Sequence, residues 1–232
     1  MSDLKLRRAL MFFAHPDDET LAAGGTIKKL SDAGCRVFVA ISNTGLASRR
    51  NKDETATSST ALEKLRRDCV HALSHLGVRP EDIILGDFSD NEMDKHTLLE
   101  LIHWLEAIIQ KTLPEAVFTH HRFCTNIDHQ YCHEAAIVAT RPSPLQHIHL
   151  FAGEVPSSTG YLRPTQWEPN FYVELSKTDV EAKVLSMQSY EGEARADPHP
   201  RSPEVLEALA KVRGSESGYF WAEAFMSIRY FS

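Results

Sequence analysis

The feature that most constrains this chain is an alternation of short, nearly continuous apolar runs with longer amphipathic stretches. The apolar runs occupy residues 8–14, 35–42, 82–86, 115–120 and 147–153. Helix-like stretches lie between them, at 26–33, 57–76, 97–111 and 128–140. Continuous apolar character is typical of strands buried on both faces, and parallel strands need a crossover helix between them. The alternation therefore predicts an α/β fold built on a parallel, doubly wound sheet.

The pattern loosens after residue 153, where a proline-containing loop covers 154–170. A strand at 171–175 and helices at 177–189 and 204–213 follow, and the C-terminal segment is mixed in character. The sequence contains no internal repeat, low-complexity tract or clear interdomain linker. With 232 residues, the chain is therefore expected to form one domain, 1–232, with a C-terminal elaboration.

The composition argues against several classes of protein. The longest unbroken apolar run has six residues, Ala9 to Ala14, whereas a membrane span needs about 20. The net charge of −7 argues against a nucleic-acid partner, because proteins that grip nucleic acid are usually basic. No secretion signal is recognisable, so the four cysteines are expected to be reduced thiols of a cytoplasmic protein. Twelve histidines stand out, because histidine is the commonest metal ligand.

A first group of polar side chains follows the first apolar run, in the sequence His15-Pro16-Asp17-Asp18-Glu19. In open α/β sheets, ligands bind at the carboxyl ends of strands. A lone Asp-Asp pair at this place would most simply cap the next helix. Four ionisable side chains within five residues instead favour a divalent metal, whose charge offsets the repulsion between the carboxylates. His15 and Asp18 are candidate ligands, and Asp17 is then free to handle protons.

A second group of polar side chains follows the run 115–120, and it comprises His120, His121, Asn126, Asp128, His129 and His133. Because carboxyl ends of parallel strands meet at one edge of a sheet, both groups are expected to face the same edge. One more histidine would complete a set of two histidines and one carboxylate, which leaves a position open for water as in catalytic zinc sites. His129 and His133 share one helix face, so either could be that ligand.

Three sequence features together resemble the LmbE-like (PIG-L) deacetylases. They are AHPDDE after an apolar strand, the Gly-Gly pair at 24–25 and the Asp-His pair at 128–129. The resemblance extends from residue 10 to about residue 139, and less surely to PHPRSP near the C-terminus. It implies a Rossmann-like three-layer sandwich with a mostly parallel sheet and a C-terminal elaboration. It also implies a zinc-dependent amidohydrolase that removes N-acetyl groups from amino-sugar substrates.

The resemblance further implies roles for individual residues. His15, Asp18 and His129 match the three Zn²⁺ ligands of the family, and Asp17 matches its general base. The implied reaction is hydrolysis of an amide by water activated at the metal, with Asp17 accepting the proton. The expected partner is a small N-acylated sugar or glycoside, and a homo-oligomer would fit the family.

One position departs from the second motif of the family, which usually reads His-Pro-Asp-His. This chain has Asn126-Ile127-Asp128-His129. In the family, the first histidine is thought to stabilise the oxyanion or to assist the departing amine. Asn126 can donate a hydrogen bond but cannot shuttle a proton. Candidates for the proton-carrying role are His120, His121 and His199.

Substrate contacts are expected from polar residues that follow other strands or lie in the C-terminal loop. The candidates are Arg49, Asn91, Asp128 and Arg201. Arg49 belongs to the polar loop 43–54, for which a solvated surface loop is an equally good interpretation. Asn91 follows the third strand, and Arg201 lies in PHPRSP.

Two other classes of function remain open on the sequence. One is a nucleotide-binding Rossmann-type protein without metal, which loses ground because no GxGxxG or GxxxxGK[ST] motif follows a strand. The other is a non-catalytic metal-binding or regulatory protein on a deacetylase scaffold, which the change at Asn126 keeps open. Bound metal without acetate release would favour the second class, and the absence of metal would favour the first.

Overall fold

A computed structural model of the chain describes residues 5–43, 58–161 and 166–232. The seven strands of its sheet are β1 (Arg8–Phe13), β2 (Arg36–Asn43), β3 (Ile83–Phe88), β4 (Ala116–His120), β5 (His149–Gly153), β6 (Phe171–Leu175) and β7 (Trp221–Arg229). The α-helices are α1 (Asp18–Asp32), α2 (Ser58–His75), α3 (Leu98–Thr112), α4 (Ile127–Ala139), α5 (Lys177–Ser189) and α6 (Pro203–Ser217). Across these three ranges, no helix has the length and apolar character that a membrane crossing requires.

The strands form one mostly parallel sheet in the order β3-β2-β1-β4-β5-β7-β6. β1 pairs in parallel with both β2 and β4, and the pairs β2–β3 and β4–β5 are parallel as well. β7 runs antiparallel to β5 and β6. The predicted α/β class is confirmed. The chain winds outward in both directions from β1 and β4, so a crevice opens at the carboxyl ends of these two strands.

Helices cover both faces of the sheet and make it the middle of three layers. Helices α1, α2 and α5 pack on one face, and α3 and α4 pack on the other. Met11 and Phe13 of β1 point to the first face, whereas Leu10 and Phe12 point to the second. All four side chains are fully buried. Because both faces of β1 are covered, its sequence is apolar without alternation.

Helix α1 starts earlier than the sequence suggested. It begins at Asp18 and continues through both glycines at 24–25 after a kink at Ala23, whose φ is −144° and ψ is 16°. The predicted start at residue 26 is therefore wrong. A Cβ atom on Gly25 would lie 2.5 Å from Leu175 Cδ1. The glycine at this position permits close packing of α1 against β6 rather than opening the helix.

A buried ion pair supports α1 at its kink. Lys183 Nζ donates to Glu223 Oε1 at 2.7 Å and to the Leu21 carbonyl at 2.8 Å. The Glu223 carboxylate also accepts the backbone N–H groups of Gly25 at 3.0 Å and Thr26 at 2.7 Å. The pair thus provides partners for backbone groups at the kink, which would otherwise be costly to bury.

The C-terminal segment contributes more regular structure than the sequence indicated. Helix α6 ends at Ser217, four residues beyond the predicted end at 213. The segment that the sequence left as mixed contains β7, which joins β6 to the rest of the sheet. The segment between α5 and α6 carries Arg201, whose side chain contacts Asp17 after β1.

Candidate metal and active site

The candidate site lies at the crevice between the carboxyl ends of β1 and β4. His15, Asp17 and Asp18 follow β1 directly, and His120 is the last residue of β4. His129 lies in the first turn of α4. The fold therefore brings together the two polar groups that the sequence analysis singled out, at the place where α/β sheets bind ligands.

His15, Asp18 and His129 form a triangle of possible metal ligands. The Asp18 Oδ2 atom lies 3.1 Å from His15 Nδ1 and 3.1 Å from His129 Nε2, and the two nitrogens are 3.3 Å apart. Ligand bonds of about 2.0–2.1 Å in tetrahedral geometry place ligand atoms about 3.3 Å from one another. The triangle therefore fits a four-coordinate divalent metal with one position left over.

The far side of the His15 ring is held by two carboxylates. His15 Nε2 lies 2.9 Å from Asp90 Oδ1 and 3.0 Å from Asp128 Oδ2. Burial alone would lower the pKa of His15, but hydrogen bonds to Asp128, Asp18 and Asp90 raise it well above its usual value. A carboxylate behind a metal-binding histidine fixes the ring and makes it a stronger ligand.

Asp128 is fully buried, and both of its oxygens accept hydrogen bonds. Its Oδ2 atom accepts from Asn43 Nδ2 at 2.7 Å, from the Asn91 backbone N–H at 2.7 Å, and lies 3.0 Å from His15 Nε2. Its Oδ1 atom accepts from the Met93 backbone N–H at 3.1 Å. The sequence predicted a substrate contact here. The structure instead places Asp128 behind His15, where it orients the ring.

Asp17 stands beside the triangle in an unusual backbone conformation. Its φ is +101°, a region that residues other than glycine seldom adopt, and its backbone N–H donates to Glu19 Oε2 at 3.1 Å. Its side chain is buried, and its Oδ2 accepts from Arg201 Nη1 at 2.6 Å. Burial and the neighbouring Asp18 raise the pKa of Asp17 well above its usual value, and Arg201 opposes that shift.

Glu19 supports this turn from inside the protein. Its Oε1 atom accepts from Tyr190 Oη at 2.7 Å and from Thr20 Oγ1 at 2.8 Å. Burial raises the pKa of Glu19 to about 7. Thr20 in turn bonds to Ser186 of α5 at 2.9 Å. The turn that carries Asp17 is therefore tied to α5, and to Tyr190 just after it, through side chains.

Arg201 reaches the site from the segment between α5 and α6. Besides Asp17, its Nη1 atom donates to Glu193 Oε2 at 2.8 Å, and its Nε atom donates to Ser157 Oγ at 3.3 Å. The side chain is 22% exposed. The sequence predicted a substrate contact for this residue, whereas its recorded partners are protein groups, the candidate base among them.

Asn126 and Asn91 border the site on the α4 side. Asn126 caps α4, because its Oδ1 accepts from the Asp128 backbone N–H at 2.8 Å. Its Nδ2 donates to Asn91 Oδ1 at 3.0 Å. One N–H of Asn126 is thereby used, and the second can face a ligand. Asn91 has an exposed side chain and a positive φ of 53°.

Two further histidines lie behind the triangle. The sequence offered His120 as a proton carrier and His133 as an alternative metal ligand. The His120 ring is fully buried and stacks on His129 with ring centroids 3.8 Å apart. Its Nε2 atom accepts from the Ala14 backbone N–H at 2.8 Å, so the proton of the neutral ring resides on Nδ1. His133 Nδ1 donates to the His120 carbonyl at 2.8 Å, and His133 is absent from the triangle.

The other two histidine candidates also have partners away from the triangle. His121 is buried against Trp167, its Nδ1 accepts from the Phe123 backbone N–H at 3.3 Å, and burial lowers its pKa to about 4. His199 is exposed, and its Nδ1 accepts from the Arg201 backbone N–H at 3.1 Å. The remaining candidate from the sequence, at position 49, lies outside the described residues.

Residues 10–140 match the profile of the PIG-L family, which is described as GlcNAc-PI de-N-acetylase. The match covers more than half of the chain. The chain belongs to the PIG-L family. The matched region contains the three possible metal ligands, and it also contains Asp17 and Asp128. Glu193 and Arg201 lie beyond it.

Two curated relatives of this PIG-L protein are named deacetylases. The probable N-acetyl-alpha-D-glucosaminyl L-malate deacetylase 2 of Bacillus cereus is 32% identical over 114 residues, which are 49% of this chain and 51% of that protein. The diacetylchitobiose deacetylase of Thermococcus kodakarensis is 26% identical over 227 residues, which are 94% of this chain and 82% of that protein. The chain therefore spans about half the length of the first relative.

A solved structure with the same fold carries a different activity in its name. The 4-carboxy-2-hydroxymuconate hydratase of Pseudomonas putida matches with a TM-score of 0.74 and 20% identity, over 97% of this chain and 98% of that one. A likeness at this identity shows the fold alone. The chemistry of this PIG-L protein must consequently be argued from its own site.

Several residues of the site were not singled out from the sequence. Asn43 ends β2 and Asp90 follows β3, so the rule that carboxyl ends of strands meet at one edge could have included both. Glu193 has no such signal, because it follows a helix and contacts the site through Arg201. The role of Glu19 was also missed, although it belongs to the first polar group.

Proposed function

We propose that the chain is a metal-dependent hydrolase that removes the N-acetyl group from a small amino-sugar-containing substrate. The observation that carries this proposal is the His15–Asp18–His129 triangle with Asp17 beside it at the crevice. A metal site with an adjacent base is an arrangement that hydrolyses amides by activating water. Membership of the PIG-L family and the names of the two relatives support the reaction and the substrate class.

Zn²⁺ is the metal that the donor set favours. Two imidazole nitrogens and one carboxylate oxygen are typical of catalytic zinc sites, in which the fourth position stays open. His15, Asp18 and His129 would hold the ion. When bound, such a metal acts as a Lewis acid that polarises the acyl carbonyl and lowers the pKa of water to about 7.

Asp17 is the group proposed to accept the proton of the attacking water. Arg201 occupies its Oδ2 atom, and no hydrogen bond to Oδ1 is recorded within the described residues. Oδ1 is therefore the oxygen left to receive a proton. Burial beside Asp18 raises the pKa of Asp17, which makes its carboxylate a stronger base than one in water.

Amide groups at the rim of the site suit a hydroxylated substrate. Asn126 and Asn91 are joined by a 3.0 Å hydrogen bond and are positioned by their contacts with Asp128. Side-chain amides both donate and accept, which matches the hydroxyl and acetamido groups of an N-acetylated sugar. We infer that they contact the sugar rather than the breaking bond.

Metal analysis combined with acetate release tests the proposal. The purified protein is expected to contain one Zn²⁺ per chain and to release acetate from at least one N-acetylated sugar, nucleotide sugar or glycoside. Asp17→Asn is expected to keep the metal and to lose at least about 100-fold in kcat, the usual contribution of a general base. Full kcat in this variant would refute the role of Asp17. Bound metal without acetate release would support a non-catalytic protein, and absence of metal would support the nucleotide-binding alternative.

A further inference from the structure

We propose that Arg201 is the positioning residue of Asp17, the general base of the proposed reaction. The inference rests on the proposed function and deepens it. In this proposal, Arg201 is neither a metal ligand nor a substrate contact. It acts through Asp17.

Arg201 is itself fixed by other protein groups. Its guanidinium donates to Glu193 Oε2 at 2.8 Å and to Ser157 Oγ at 3.3 Å, in addition to Asp17 Oδ2 at 2.6 Å. Glu193 and Ser157 come from two different segments, one after α5 and one after β5. A planar guanidinium held at two nitrogens, here Nη1 and Nε, has one orientation, so it transmits that orientation to the carboxylate it binds.

Asp17 depends on this support more than an ordinary carboxylate does. It is buried directly next to Asp18. Arg201 is the partner recorded for its carboxylate within the described residues. Without Arg201, the Asp17 side chain would lose the contact that fixes its rotation, and the base would leave its working position.

The test compares Arg201→Ala with Arg213→Ala. Arg213 is a matched control on α6, because it is also paired with two carboxylates, those of Glu154 and Glu216, and is 15% exposed. Arg201→Ala is expected to lower kcat for acetate release about 100-fold, the effect of misplacing a catalytic group, with KM and metal content unchanged. Millimolar guanidinium chloride is expected to restore part of the lost kcat. Arg213→Ala is expected to keep kcat within about twofold of the wild type and to gain nothing from guanidinium.

Substrate affinity gives a readout that does not depend on turnover. In the Asp17→Asn background, adding Arg201→Ala is expected to leave the Kd of the substrate, measured by calorimetry, unchanged. A rise in Kd of about tenfold or more, or a rise in KM with kcat kept, would show that Arg201 binds substrate and would overturn the proposal.

The remaining outcomes are also decisive. An active wild type with an equally active Arg201→Ala variant would overturn the positioning role alone. A wild type that releases no acetate from any compound tested would overturn the proposed function, and this inference with it. If Arg201→Ala does not fold, Arg201→Lys keeps the charge without the planar fork, and kcat unchanged in that variant would equally overturn the proposal.

Discussion

Asp128→Asn is expected to weaken metal binding although all three candidate ligands stay in place. In the structure, Asp128 Oδ2 lies 3.0 Å from His15 Nε2 and accepts two further hydrogen bonds, from Asn43 and Asn91. Asparagine keeps the shape of the side chain but removes its negative charge. The His15 ring then lacks the carboxylate of Asp128 behind it, and its Nδ1 atom becomes a weaker ligand.

The size of the effect follows from the contacts of the two oxygens. If the amide oxygen of the variant takes the place of Oδ2, its NH2 group faces the Met93 backbone N–H, which lies 3.1 Å from Oδ1 in the wild type. Two donors then face each other in a buried place, which costs about 1–3 kcal/mol of folding stability. Loss of a partner behind a metal ligand costs about 10–100-fold in metal affinity, and this corresponds to about 1.4–2.8 kcal/mol.

Chelator competition at constant pH measures the Kd for Zn²⁺, and urea unfolding of the metal-free protein measures stability. Asp179→Asn is the matched control, because Asp179 is also buried, accepts from the Ser176 backbone N–H at 2.7 Å and lies at the start of α5. We expect the control to lose about 1 kcal/mol of stability, as for a helix cap, with an unchanged Kd. A Kd for Asp128→Asn within twofold of the wild type would refute the reasoning.

Three further predictions concern stability. Lys183→Met is expected to cost about 3–5 kcal/mol in urea unfolding, because it leaves the Glu223 carboxylate buried without its cation, and Lys183→Met/Glu223→Gln should recover part of that loss. Gly25→Ala is expected to lower the free energy of unfolding by about 1–3 kcal/mol, because the added methyl group would lie too close to Leu175. Equal stability of this variant and the wild type would contradict the packing argument. His121 has a pKa near 4 when folded and 6.5 as the usual value, so its stabilising contribution is full above pH 6.5 and is lost as pH falls towards 4. The stability gap between the wild type and His121→Gln should therefore shrink by about 2 kcal/mol from pH 7 to pH 5, and a constant gap would refute this.

The parallel core of the fold was accessible from the sequence because its physical cause is local. Strand β1 is covered on both faces, so its residues are apolar without interruption, and the same holds for most of β2 and β4. Strand β7 was missed because Glu223 gives it a charged residue in its interior. The burial of that residue depends on Lys183 and on backbone groups of α1, which the local sequence does not reveal.

The candidate site also has some features with a local cause and others that depend on contacts between distant segments. Placement of His15, Asp18 and His129 followed from motifs at strand ends, since parallel strands share one carboxyl edge. The orientation of Asp128 towards His15, and of Arg201 towards Asp17, could not be read from the sequence. Both depend on which side of a crowded cluster a carboxylate or guanidinium faces, and that is decided by contacts between distant segments.

The support for the possible metal ligands and the support for the proposed base come from different parts of the chain. Asn43, Asp90 and Asp128 stand behind His15, whereas Glu193 and Arg201 stand behind Asp17. With Asp17 as the proposed base, substitutions between α5 and α6 are therefore expected to alter the rate of proton transfer without disturbing metal affinity. In an engineering or evolutionary setting, catalytic rate and metal retention would be two separately adjustable properties of one crevice.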